Sequence, residues 1–72
     1  KLNEFIMISL RTIEGLNLDA LQKQFGDEER KRIEKQLPKF VSHGLINLHN
    51  NNAQLTDEGM LRADGIASEL FK

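Results

Sequence analysis

The sequence predicts a mainly helical α+β domain of three helices, a small β-hairpin and a closing helix. Three observations carry that expectation. Apolar residues recur at helical spacing in three segments before Gly44. Around a run of asparagines from Leu45 to Thr56 the pattern switches to alternation, and from Thr56 onward helical spacing returns behind a capping signal. The 72 residues leave room for one domain only, spanning 1–72. Area scaling gives roughly 12,000 Å² exposed when unfolded and roughly 4,600 Å² when folded, which makes a small core.

Leu2, Phe5, Ile6, Leu10 and Ile13 form the inward stripe of a first helix over Leu2 to Glu14, with Gly15 as its terminator. Met7 and Ile8 fall off that stripe. The helix is therefore apolar over more of its girth than an isolated domain needs, and the two residues either wrap a small core or meet a second contact surface. Asn17 is an N-cap for a short second helix built on Leu18, Leu21 and Phe25 and ended by Gly26. Asp27 can cap a third helix, whose first turn holds Glu28 and Glu29 and whose stripe is Ile33, Leu37, Phe40 and Val41. The tight Phe25-Gly26-Asp27 connection makes the pair a helix-turn-helix. Pro38 has no amide hydrogen and its ring collides with the Glu34 carbonyl, so it predicts a kink or a restart before His43.

After Gly44, Ile46 and Leu48 alternate with polar neighbours as in a half-buried strand. Asn50-Asn51-Asn52 suits a hairpin tip because asparagine tolerates positive φ, and Ala53 to Thr56 returns as a second strand burying Leu55. Thr56 caps the final helix, with Met60, Ala63, Ala67, Leu70 and Phe71 along its inner side. Helix-turn-helix followed by a hairpin is a winged-helix-like order, and that order alone selects no function.

Charge and composition narrow the chemistry. Ten basic residues face 11 acidic ones, for a net charge of −1. Arg30, Lys31, Arg32, Lys35 and Lys39 gather on the third helix, the set that would contact DNA if this helix entered a groove. They are interleaved with Glu28, Glu29 and Glu34, as on a solvated face with pairs such as Glu28–Arg32 and Glu34–Lys39, and the hairpin tip holds asparagine where a DNA-binding wing would carry cations. Both points argue against nucleic acid as partner. The chain has no cysteine, which excludes a disulfide framework, a thiolate zinc site, a thiol nucleophile or an iron–sulfur cluster held by this segment. No apolar run approaches the roughly 20 residues that span a bilayer, so the expectation is a cytoplasmic chain with no membrane partner. His43 and His49 are the only imidazoles, and neither has a local ligand set or nucleophile. His43 suits the negative end of a helix; axial ligation of haem by either histidine is the remaining chemical option. The chain opens on Lys1, and the expectation is a segment of a longer protein.

Three stretches, in order, carry a resemblance. Glu-Phe-Ile-Met-Ile-Ser-Leu-Arg-Thr-Ile-Glu-Gly from Glu4 to Gly15 resembles the opening helix of the C-terminal domain of oxygen-independent coproporphyrinogen III oxidases and their haem-chaperone relatives. Gly44-Leu45-Ile46 resembles that family's step into the wing. Leu55-Thr56-Asp57-Glu58-Gly59, with Leu61, Asp64 and Glu69-Leu70-Phe71, resembles its ending. Pro38 and the asparagine-rich wing depart from the pattern. The resemblance implies a radical S-adenosylmethionine parent whose 4Fe-4S cluster sits on a CxxxCxxC motif upstream, absent from this chain. Such a parent either decarboxylates two propionates of coproporphyrinogen III to give protoporphyrinogen IX, or carries haem to acceptors. The present segment would bind no cofactor or metal, hold no catalytic residue, and pack on the catalytic domain of the same chain. Porphyrinogen or haem would be met only through the parent. Under that reading Met7 and Ile8 form the interdomain seam and Arg11 pairs across it. The alternative is a winged-helix transcriptional regulator, with Arg30 to Lys39 in a DNA groove.

Overall fold

The computed structural model describes residues 1–72. It is mainly helical, with a small three-stranded antiparallel sheet. The order is α1 (Leu2–Leu10), β1 (Leu16–Asn17), α2 (Leu18–Phe25), α3 (Asp27–Ser42), β2 (Ile46–His49), β3 (Asn52–Leu55), α4 (Asp57–Met60) and α5 (Ala63–Leu70). The accessible surface of 4652 Å² agrees with the area expected for a compact chain of this length.

One core joins all layers: Ile6 and Leu10 of α1, Leu16 of β1, Leu21 of α2, Ile33 and Leu37 of α3, Ile46 of β2 and Leu70 of α5 are its fully buried large side chains. Phe5 closes one edge against Phe25, with ring centroids 5.5 Å apart and planes tilted by 58°. The α2–α3 turn holds as the sequence implies. Asn17 accepts a hydrogen bond from the Ala20 amide at 2.7 Å, and the α2 end turns at Gly26 with φ of 98°. The cap of α3 is Gly26 itself; Asp27 is the first helical residue and its carboxylate accepts from Gln22 Nε2 at 2.6 Å instead.

Several expectations are corrected. The first helix stops at Leu10, short of Glu14, and Ile13 is 91% exposed. The Thr12 hydroxyl donates to Ser9 O at 2.7 Å and accepts from the Gly15 amide at 3.1 Å, a local turn that competes with helix continuation. Gly15, at φ of 83°, then passes so close to the Ala53 carbonyl that a Cβ there would overlap it. That approach delivers Leu16–Asn17 to β3, with Leu16 opposite Ala53 and Asn17 opposite Asn52. The hairpin thus gains a third strand, in sheet order β1-β3-β2. Two residues are too few for periodicity to reveal.

Asn50 and Asn51 turn the hairpin with φ of 51° and 64°, and Asn52 joins the strand opposite His49. Consecutive positive φ values match the twist that a two-residue loop must supply. Ala53, rather than Leu55, is the fully buried residue of β3; Leu55 is half-buried against the core. Pro38 neither breaks nor restarts α3, which runs unbroken to Ser42. Pro38 and Glu34 both lie on the exposed side, so water can serve the Glu34 carbonyl that lacks a helical donor. Val41, expected in the stripe, is exposed.

The final helix is two helices. Thr56 caps α4, its hydroxyl accepting from the Gly59 amide at 2.9 Å, but the chain leaves helical geometry at Arg62 (φ −116°, ψ 22°) before α5 begins. Met60, expected inside, is turned out. Different neighbours hold the two halves. The Thr56 hydroxyl donates to Gly44 O at 2.7 Å and its amide to Leu45 O at 3.0 Å, while Ile66, Ala67 and Leu70 of α5 join the buried core with Ile6 and Leu10. A straight helix cannot satisfy both anchors.

Candidate functional site

On α1, Ile6 and Leu10 point into the core. At 100° per residue, Met7, Arg11 and Ile8 follow one another around the outward side, with Arg11 one turn from both Met7 (i+4) and Ile8 (i+3). All three are exposed; Ile8, opposite the core, is 65% exposed. The Arg11 guanidinium donates to the Asp64 carboxylate of α5, an ion pair that stays at the surface. Around that pair, Met60, Leu61, Arg62, Ala63 and Gly65 complete the wall of one shallow hollow. The three residues singled out from the sequence thus share one face, and the corner between α4 and α5 extends it. Sequence reasoning missed Leu61 as a surface residue. The signal was available, since adjacent Met60 and Leu61 cannot both share a stripe with Ala63 and Ala67.

The cations of α3 are largely committed inside the domain. Arg30 donates to Asp19 at 2.6 Å, to Gln22 Oε1 at 2.8 Å and to Glu34 at 3.2 Å. Asp19 first, then Glu34, raises its pKa further above the ordinary arginine value. Arg32 pairs with Glu29 at 2.8 Å and donates to the Leu70 and Phe71 carbonyls at 2.9 and 3.3 Å. Lys39 reaches Glu69 at 2.7 Å and lies 5.0 Å from the centroid of the Phe40 ring. The expected Glu28–Arg32 and Glu34–Lys39 pairs are therefore replaced by Glu29–Arg32 and Glu69–Lys39, because the chosen partners lie on the side of α3 that faces the C-terminal residues. Of the five, Lys31 and Lys35 have no carboxylate within 4.0 Å.

His43 caps the C-terminal end of α3, and His49 ends β2 with its Nε2 3.2 Å from Asn50 Nδ2. No three metal-ligating side chains come together, and without cysteine the residues present do not fit a 4Fe-4S cluster.

The structure also shows what the quoted motifs do. Leu55-Thr56-Asp57-Glu58-Gly59 grips Gly44-Leu45-Ile46: Thr56 binds Gly44 O and Leu45 O, and Gly59 presses so tightly on the Leu45 carbonyl that a methyl group would not fit. Leu10 is core and Arg11 reaches Asp64. A family model described as the HemN C-terminal domain matches residues 1–62, most of the chain. The chain belongs to the HemN C-terminal domain family. The match supports the C-terminal domain of the HemN-like coproporphyrinogen oxidase family, the family that the quoted motifs resemble. No curated protein and no solved structure matches it. In this HemN C-terminal domain the match ends at Arg62, on the corner between α4 and α5, so the α5 face that packs on α1 and the closing Glu69-Leu70-Phe71 lie beyond it.

Proposed function

We propose that this chain is the non-catalytic C-terminal domain of an oxygen-independent coproporphyrinogen III oxidase-like or haem-chaperone protein, and that it caps the catalytic domain of that polypeptide. The observation that carries the reading is the outward face of α1. There Met7 and Ile8 are exposed one helical turn from Arg11, whose ion pair with Asp64 stays at the surface, on a chain whose family is defined as a C-terminal domain. The parent is cytoplasmic and acts on a tetrapyrrole, decarboxylating coproporphyrinogen III or passing haem on. A 4Fe-4S cluster and S-adenosylmethionine belong to its other domain, where they supply the radical that starts the decarboxylation.

Hydrogen exchange tests the capping role. In the full-length protein the amides from Met7 to Leu10 should exchange at least about tenfold more slowly than in the 72-residue chain; equal rates would remove the role. Conversion of coproporphyrinogen III to protoporphyrinogen IX by the full-length protein, set against a Soret shift on adding haem, separates the two branches.

A further inference from the structure

We propose that the Met60–Leu61 corner is the anchor of this docking surface, and that the catalytic domain meets it with an apolar hollow for Leu61 beside a carboxylate for Arg62. The proposal rests on the interdomain reading above and adds to it the residues that α1 alone does not supply.

The break between α4 and α5 has a cause inside the domain, since Thr56 and Gly59 fix α4 to the Gly44–Leu45 backbone while α5 is fixed in the core beside α1. Those anchors do not account for the chemistry of the residues turned outward. Any polar pair would turn the same corner, yet it presents Met60 and Leu61, the latter 82% exposed. They stand beside Arg11 in one hollow, and Arg11 is one helical turn from Met7 and Ile8. Single exposed apolar residues are ordinary. A group drawn from two elements and gathered around one ion pair marks a contact surface.

Charge selects the occupant. Asp64 neutralises Arg11, whereas Arg62 has no carboxylate within 4.0 Å. The lining of the hollow therefore carries one unpaired cation. A domain of the same polypeptide with a carboxylate at this position supplies the missing partner, and tethering holds it at a high effective concentration.

Hydrogen exchange on the full-length protein carrying single substitutions tests the assignment. Leu61→Asp should speed exchange by about tenfold or more in both the Asp57–Ile66 segment and α1, and the milder Leu61→Ala should move both segments in the same direction. Arg62→Glu should give a smaller increase of the same kind, and Leu48→Asp, on the wing, should leave both segments unchanged. If Ile8→Asp speeds exchange in α1 while the Leu61 variants change nothing, the corner is not the anchor and the interdomain reading survives. If neither Ile8→Asp nor Leu61→Asp changes anything, both fail. A dimer in sedimentation that Leu61→Asp dissociates would overturn the choice of occupant.

Discussion

Gly59 stands where α4 crosses the step into β2, and its missing side chain is what lets the Leu45 carbonyl approach. Gly59→Ala should lower stability by about 1–3 kcal/mol through overpacking. Gly65, in α5, has open space at its Cβ position, so Gly65→Ala should raise stability by about 0.4–1 kcal/mol by restricting the unfolded chain. Urea midpoints for the two variants, moving in opposite directions, would establish the contrast. Glu29 shows the electrostatic side of the same scale. Hydrogen bonds from Arg32 and then Lys72 hold its carboxyl below the ordinary value of 4.5. A depressed folded pKa means that the stabilisation is fully present above the ordinary carboxylate range and is lost as pH falls through the folded value. The melting-temperature gap between wild type and Glu29→Gln should therefore be present at neutral pH and close in acid.

At the scale of elements, α3 shows a helix overriding a local penalty. The Pro38 ring removes one bond and crowds the Glu34 carbonyl, but Ile33, Leu37 and Phe40 are buried away from it and the helix continues to Ser42. Pro38→Ala should stabilise by about 2 kcal/mol, the roughly 3 kcal/mol helical penalty of proline less the roughly 1 kcal/mol by which proline restricts the unfolded chain; thermal or urea unfolding measures it. The C-terminal helix shows the reverse. Nothing local in Met60-Leu61-Arg62 demands a break, yet two anchors at different orientations impose one. The stripe from Met60 to Phe71 was legible as helical and apolar, while the direction Met60 faces was not, because that depends on where Gly44 and α1 lie.

At the scale of the molecule, a net charge of −1 and the internal pairs of Arg30, Arg32 and Lys39 leave Lys31 and Lys35 as the free cations of α3. Duplex binding through α3 should accordingly have a log–log salt slope no steeper than about −2, two phosphate contacts at about 0.9 each, as read by fluorescence anisotropy across a salt series. The candidate face was half legible beforehand. Met7 and Ile8 announced themselves by leaving the inward stripe of α1, whereas Leu61 and Arg62 joined them only through the corner. By itself the sequence determined the α+β class, the helix-turn-helix, the asparagine turn and the caps at Asn17 and Thr56, because each depends on spacing or on hydrogen bonds within a few residues. Tertiary structure alone decided the third strand, the ion-pair partners of α3 and the outward turn of Leu61. Each of those depends on which distant backbone or side chain arrives at the same place, and residue spacing along one segment carries no record of that.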